Sequence, residues 1–402
     1  MTDPNDTGRE RPSNNNTDDA APSVNTARLA ETTPDPIDQG RDPYPKVTPR
    51  SDRAVDDPAF LAKLDEVVRQ NEADPDSYDG KLIRDQIITA LKLATDGRDT
   101  GELKLMTAAF KELRYAFNVF SKWKNHKKIS IFGSARTQPN HADYEACVEF
   151  SRGMAERDWL CITGAGDGIM KAGHEGPGPQ SSFGLAIRLP FETTANDVIA
   201  GDEKLINFRY FFTRKLIFVS QSEAVAAFPG GYGTQDEVFE ALTLIQTGKS
   251  AMIPIVLCEH EGGDYWHHWD NYVKRSLLNY GMISPEDVRL YHICRDVDEA
   301  ADHVCRFYRN FHSYRYVRDD LVIRLNSRLR EEDVDTLNKE FATLVKTGSI
   351  TQRGPYEVED EFLELPRIAF HHTRHNVGLV RKLIDRINDF TTVTAAPASA
   401  SG

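Results

Sequence analysis

The residues best suited to chemistry lie in three glycine-rich runs. These are Gly133-Ser134-Ala135-Arg136, Thr163-Gly164-Ala165-Gly166-Asp167-Gly168-Ile169-Met170, and Pro229-Gly230-Gly231-Tyr232-Gly233-Thr234-Gln235-Asp236-Glu237. Glycine lets a backbone turn sharply and approach a ligand, and the free N–H groups of a following helix start favour an anion, so the three runs together suit a phosphate. No G-x-x-x-x-G-K-[ST] run forms a P-loop, and Gly164-x-Gly166-x-Gly168 lacks the G-x-G-x-x-G spacing of dinucleotide sites. A nucleoside monophosphate is therefore preferred over ATP or NAD. Thr234-x-x-Glu237 has two readings, a capping box at a helix start or a carboxylate kept for ionic chemistry. A capping box accepts Gln, whereas ionic chemistry needs the carboxylate, so Glu237→Gln separates them. Arg214 and Lys215, adjacent in Phe208-Arg209-Tyr210-Phe211-Phe212-Thr213-Arg214-Lys215, are either an anion-holding pair or a solvated basic helix face. Arg136 and Arg188 share that ambiguity.

The elements that position these runs follow from apolar periodicity. Short apolar stretches at Ile129 to Phe132, Trp159 to Ile162, Phe183 to Leu189, Ala224 to Phe228, Ile253 to Leu257 and Leu290 to Ile293 read as strands. Between them, helical spacing predicts helices near Tyr144 to Glu156, Gly168 to His174, Phe212 to Val219, Gln235 to Thr247, Trp266 to Leu278 and Asp298 to Tyr308. This alternation implies βαβ units and a doubly wound, Rossmann-like parallel sheet over residues 128–312, with the glycine runs just past the carboxyl ends of its strands. Residues 59–127 read as a helical extension carrying two amphipathic helices between Asp79 and Lys122. Residues 313–390 read as a small α/β appendage of β-α-β-α type, with strands at Leu321 to Leu325 and Arg367 to His371 and helices at Asp333 to Val345 and Val377 to Asn388. Residues 1–58, which hold nine of the twenty prolines, and residues 391–402, small and polar, read as disordered tails.

Composition sets the outer bounds. With 402 residues, 40% of them hydrophobic and 28% charged, the chain can bury a sizeable core. A net charge of −13 argues against general affinity for nucleic acid or an anionic membrane, while leaving room for a local anion pocket. The five cysteines, Cys147, Cys161, Cys258, Cys294 and Cys305, form no C-x-x-C pair and read as reduced thiols of a cytoplasmic protein. His292 with Cys294 and His303 with Cys305 do not match structural zinc spacing, and read as parts of a strand and a helix. No apolar run reaches the length of a membrane span, and no export signal opens the chain.

In combination the motifs resemble those of the LOG ("lonely guy") family, long labelled "lysine decarboxylase-like". The resemblance rests on Ile131-Phe132-Gly133-Ser134, the run Thr163 to Met170, Leu189-Pro190-Phe191-Glu192 with Asn196, Phe211-Phe212-Thr213-Arg214-Lys215, and Pro229-Gly230-Gly231-Tyr232-Gly233-Thr234-x-x-Glu237. It covers about Lys128 to Asn310. It implies a homo-oligomeric phosphoribohydrolase that cleaves the N-glycosidic bond of a purine nucleoside 5′-monophosphate, AMP or an N6-substituted relative, to free base and ribose 5-phosphate. The family's catalytic Arg and Glu map onto Arg214 and Glu237. Glu237 then faces the ribose as the base leaves and Arg214 holds negative charge. The amides of Gly231, Gly233 and Thr234 cradle the phosphate, Gly133, Ser134 and Gly166 form the facing wall, and Gly164, Lys215 and Gly230 are further substrate-binding residues. No metal or cofactor is expected. The older decarboxylase label would need a pyridoxal phosphate lysine, which the sequence does not place. Ala165, where many members have glycine, and His174-Glu175-Gly176-Pro177-Gly178-Pro179 depart from the family pattern. The alternative function is a nucleotide-binding sensor or carrier on the same fold.

Overall fold

A computed structural model describes residues 57–188 and 195–390. The expected tails lie outside the described residues except for Asp57 and Pro58, and so does Leu189-Pro190-Phe191-Glu192. Pro58 opens the first helix, α1 (Pro58–Gln70), behind the Asp57 cap. The helices α2 (Tyr78–Thr95) and α3 (Thr100–Ser121) follow. The second of these starts in a capping box formed by Asp99 and Glu102.

The main sheet then alternates with helices: β1 (Lys128–Phe132), α4 (Ala142–Glu156), β2 (Leu160–Thr163), α5 (Ile169–Glu175), β3 (Ser182–Ile187), β4 (Leu205–Phe208), α6 (Phe211–Ser220), β5 (Ala224–Ala227), α7 (Tyr232–Gln246), β6 (Ile255–Leu257), α8 (Tyr265–Tyr272), β7 (Tyr291–Ile293) and α9 (Val297–Phe307). Its seven strands run in the order β4-β3-β2-β1-β5-β6-β7, and every pairing is parallel. This is the doubly wound α/β architecture expected from the alternation. Strands such as β5, Ala-Val-Ala-Ala and buried throughout, are short and apolar because helices cover both of their faces. The chain moves outward from β1 through β4 and then returns to place β5 on the other side of β1. The winding reverses between β1 and β5, and ligands of such sheets bind beyond the carboxyl ends of the strands at this point.

Three expectations are corrected here. β4 was not anticipated, since Leu205–Phe208 is four residues long with an exposed Asn207. α7 begins at Tyr232, three residues before the expected start, because glycine is tolerated in the first turn of a helix. The segment expected as one helix from Trp266 to Leu278 is α8 followed by a π-helical stretch, Val273–Leu278.

The appendage is also richer than β-α-β-α. It comprises β8 (Phe311–Val317), β9 (Asp320–Leu325), α10 (Glu331–Glu340), β10 (Val345–Arg353), β11 (Arg367–His372) and α11 (Val377–Asp389), with an antiparallel sheet in the order β10-β11-β9-β8. β10 is largely exposed, which hides its pattern in the sequence. Asn388 of α11 ties the appendage to the main sheet's last helix: it accepts from the Asn310 and Phe311 amides at 2.8 and 3.0 Å and donates to the Phe307 carbonyl.

Candidate functional site

The three glycine runs form a set of interlocked bends past β1, β2 and β5. The Ser134 amide donates to the Pro229 carbonyl at 3.1 Å, and the Ser134 carbonyl accepts from the Ile169 amide at 3.0 Å. The bend after β1 is thus clamped between the other two. Gly168 has φ +62°, and a Cβ there would sit 2.3 Å from the Ser134 carbonyl oxygen. A Cβ at Gly230 would lie 2.1 Å from Thr234 Oγ1 and 3.0 Å from the Ser134 nitrogen.

The glycines play different parts. At Gly133 a Cβ would enter the Ile169 side chain, and at Gly164 and Gly166 it would enter Met170. These three are needed for close packing inside the bends. Gly231 and Gly233, by contrast, have nothing within 4 Å of a Cβ position, so their backbone borders open space. Ser134 Oγ is turned back to its own bend, accepting from the Arg136 amide at 3.1 Å. Arg136 and Arg188 are exposed at the ends of β1 and β3.

The helix start at Tyr232 decides between the two readings of Thr234-x-x-Glu237. The cap residue is Gly231, with no side-chain cap, and Thr234 already lies within the first turn. A capping box requires its Thr at the cap, so this one does not exist. The first main-chain helical bond runs from Gln235 N–H to the Gly231 carbonyl at 3.1 Å, leaving the amides of Tyr232, Gly233 and Thr234 without a helical acceptor at the positive end of α7.

One turn further on, Glu237 is buried, 9% exposed, where solvent cannot stabilise its charge. Burial pushes its carboxyl up to about 7; Lys215 and Arg214 pull the other way, and Glu240 and Asp236 add to the rise. Lys215 Nζ lies 3.9 Å from Glu237 and 2.7 Å from both Asp236 and Glu240. Burial opposes its charge, yet the hydrogen bonds to Asp236 and Glu240 and the field of Glu237 raise its pKa above the ordinary value. Lys215 is therefore occupied by the carboxylates of α7, unlike the anion ligand that its sequence position suggests.

Arg214 is different. Its guanidinium packs over the rings of Phe211 and Phe218 at 5.0 and 5.7 Å, its Nη1 would lie 3.7 Å from a Cβ on Gly164, and its buried Nε has no hydrogen-bond partner. Burial lowers its pKa and Glu237 raises it. The structure thus gathers Arg214, Lys215, Glu237, Thr234 and the glycine bends at one end of the sheet, with a buried guanidinium whose Nε is unpaired beside a carboxyl raised to about 7.

Supporting side chains escaped the sequence reading. Behind the second bend, buried His174 contacts Thr163 Oγ1 and the Phe183 carbonyl at 3.0 Å each and Asn196 Oδ1 at 3.3 Å. Asn196 donates to the Gly166 carbonyl at 3.0 Å, and the Ala165 amide donates to Thr163 Oγ1 at 3.0 Å. Burial lowers the His174 pKa, favouring the neutral ring this network needs. The departure at Ala165 keeps the backbone of a glycine, with φ +63°. Tyr265 donates to the Gly230 carbonyl and accepts from Gln235 at 2.7 Å, bracing the third bend. Glu112 on α3 accepts from the Arg209 amide at 2.8 Å and Thr213 Oγ1 at 2.6 Å, so the helical extension grips the start of the helix carrying Arg214. No motif announces Glu112 or Tyr265, because their partners lie on other elements distant in sequence. Among the described residues no group of three or more His, Cys, Asp or Glu is placed to hold a metal ion, and His292 stacks on His303 with ring centroids 4.2 Å apart. No described helix is long and apolar enough to cross a membrane.

Residues 165–304 match the family model described as "possible lysine decarboxylase". Over 177 residues the chain is 28% identical to the cytokinin riboside 5′-monophosphate phosphoribohydrolase of Mycobacterium tuberculosis, covering 43% of this chain and 90% of that protein. Over 217 residues it is 24% identical to the cytokinin riboside 5′-monophosphate phosphoribohydrolase LOG7 of Arabidopsis thaliana, covering 53% of this chain and 91% of that one. Among solved structures, the Moco carrier protein of Chlamydomonas reinhardtii matches with a TM-score of 0.33 and 21% identity, over 45% of this chain and 96% of its own.

Proposed function

Through residues 165–304 the chain belongs to the LOG family, and on that premise we propose that it is a phosphoribohydrolase that hydrolyses the C1′–N9 bond of a purine nucleoside 5′-monophosphate, AMP or an N6-substituted relative. Water adds to C1′ through its oxygen and gives up one proton, the bonding electron pair leaves with the base nitrogen, which takes up a proton, and the products are free base and ribose 5-phosphate. The observation that carries this reading is the buried Glu237 beside Arg214 at the mouth of the glycine bends.

As the glycosidic bond lengthens, C1′ gains positive charge, and an ionised Glu237 stabilises it and accepts the proton of the attacking water. A carboxyl with a pKa near 7 is well matched to proton transfer at neutral pH. The guanidinium of Arg214 holds negative charge on the phosphate or the departing base. The amides of Gly231, Gly233 and Thr234, at the positive end of α7, receive the 5′-phosphate. Lys215 acts through Glu237, keeping it from rising further in pKa, while Gly133, Ser134, Gly164, Gly166 and Gly230 shape the walls. The reaction as written consumes only water and needs no cofactor.

The test is incubation of the pure protein with AMP, with adenine and ribose 5-phosphate followed by chromatography. Stoichiometric release that disappears in Glu237→Gln supports the proposal. Tight binding of AMP with no base released supports the carrier reading instead. We also propose that the chain is homo-oligomeric, a reading supported by the exposed Phe211, Phe212 and Leu216 on α6, beside the site.

A further inference from the structure

The carbonyl of Gly230 and the N–H of Gly231 belong to one planar trans peptide and point in opposite directions. Whatever holds that carbonyl therefore aims that amide. With glycine on both sides, no Cβ resists rotation of this plane, so a tie to the carbonyl decides where the amide points. Tyr265, at the start of α8, supplies the tie: its hydroxyl donates to the Gly230 carbonyl at 2.5 Å. Gly231 itself is exposed, and nothing lies within 4 Å of a Cβ position there. Two neighbours fix this bond. A carbonyl only accepts, so the single proton of the phenol goes to Gly230, and Gln235 must present its Nε2 to the phenol oxygen, 2.7 Å away. That orientation leaves Gln235 Oε1 buried without a partner among the described residues. Glu259, buried past β6, accepts from the Tyr265 and Trp266 amides at 2.9 and 3.4 Å and so places the first turn of α8.

We propose that Tyr265 is a positioning residue for the 5′-phosphate, holding the Gly231 amide toward the anion through the Gly230–Gly231 peptide. The inference rests on the phosphate cradle of the preceding proposal and adds to it the side chain that sets its geometry. Tyr265 comes from α8, which carries none of the glycine runs, and its hydroxyl is engaged by Gly230 and Gln235, so it acts through Gly231 and not on the substrate. The two ends of the peptide also reinforce one another. A hydrogen bond on the Gly230 oxygen polarises the plane and strengthens the Gly231 N–H as a donor to negative charge. Removing the hydroxyl frees the plane and weakens that donor together. The phosphate is held alike before and during cleavage of the glycosidic bond, so the loss falls on binding and leaves the chemical step at Glu237 unaltered.

The test is Tyr265→Phe in the full chain, which removes the hydroxyl and keeps the ring. KM for AMP should rise about tenfold, the effect of one charge-assisted hydrogen bond, with kcat within about twofold of wild type. The acidic limb of the kcat profile near pH 7, set by Glu237, should not move. Binding of inorganic phosphate, followed by phosphorus NMR, should weaken by the same factor as KM rises, while inhibition by adenosine, which has no phosphate, should not change. Gln235→Leu, which lets the phenol rotate but keeps its proton, should shift KM and phosphate affinity in the same direction by a smaller factor. A lower kcat with KM intact, equal weakening of phosphate and adenosine, or undiminished phosphate affinity in Tyr265→Phe overturns the inference. A wild type that binds phosphate but releases no adenine counts against the hydrolase proposal alone, and the phosphate titration then decides the role of Tyr265.

Discussion

Replacing Glu237 by Gln should make the protein more stable and inactive at once, with a stability gain that depends on pH. In the folded chain the carboxyl has a pKa of about 7, against an ordinary value of 4.5 that serves for the unfolded chain. Between those values the folded state binds the proton that the unfolded state has released, so stability falls as pH rises through that window. Below it both states are protonated and Glu237 contributes nothing. Above about pH 7 the folded state bears the full cost of a buried anion, about 3 kcal/mol at 1.36 kcal/mol per pKa unit. Gln is neutral at every pH and keeps the shape, and Lys215 retains Asp236 and Glu240. Urea unfolding of the variant and wild type should therefore coincide near pH 4.5 and separate by about 3 kcal/mol at pH 8, the variant being the more stable. Release of adenine from AMP should be lost at both pH values. A variant less stable than wild type at pH 8, or a difference independent of pH, would refute the placement of Glu237 as a buried acid. Unchanged turnover would refute its catalytic part.

Four further outcomes are expected. Arg214→Ala should abolish base release, and a raised KM with kcat intact would demote the residue from catalysis to binding. Lys215→Met removes the nearest cation from Glu237, so the acidic limb of the kcat/KM profile should move upward from pH 7 by about one unit. Glu112→Ala removes two hydrogen bonds at the start of α6; a loss of about 1.5 kcal/mol in urea unfolding and a lower kcat should follow. Gly168→Ala forces a Cβ against the Ser134 carbonyl at φ +62° and should cost at least about 2 kcal/mol, read as a lower urea midpoint.

What the sequence disclosed depended on how local the controlling interaction is. The strands β1, β2, β5 and β6 announce themselves as short apolar runs because both of their faces are covered. β4 and β10 do not, since one is very short and the other lies exposed at a sheet edge, where polar residues such as Lys346 and Thr347 erase the pattern. Glycine marked all three bends, but its type alone could not divide Gly231 and Gly233, beside open space, from Gly164 and Gly166, which make room for Met170. The ambiguity at Thr234 and Glu237 turned on where α7 begins, and a glycine-bearing first turn conceals that boundary. Lys215 looked like an anion ligand from its neighbour Arg214, whereas its partners come from α7, a separate element. Glu112, His174 and Tyr265 act on main-chain and side-chain atoms of other elements, so no local run of residue types marks them.

The return of the chain from β4 to β5 has a consequence for biogenesis. β1 is paired on one side by β2 early in the sequence, but its other neighbour, β5, arrives some ninety residues later, and with it the Pro229 carbonyl that receives the Ser134 amide. A nascent chain synthesised only through β4 therefore holds two bends and a raw β1 edge, with neither Arg214 nor Glu237 available. Such an edge is a template for illegitimate pairing until β5 closes it. Arg214 and Glu237 are thus brought together only after this exposed edge has been covered, and a truncated or stalled product lacks both of them and is prone to aggregate.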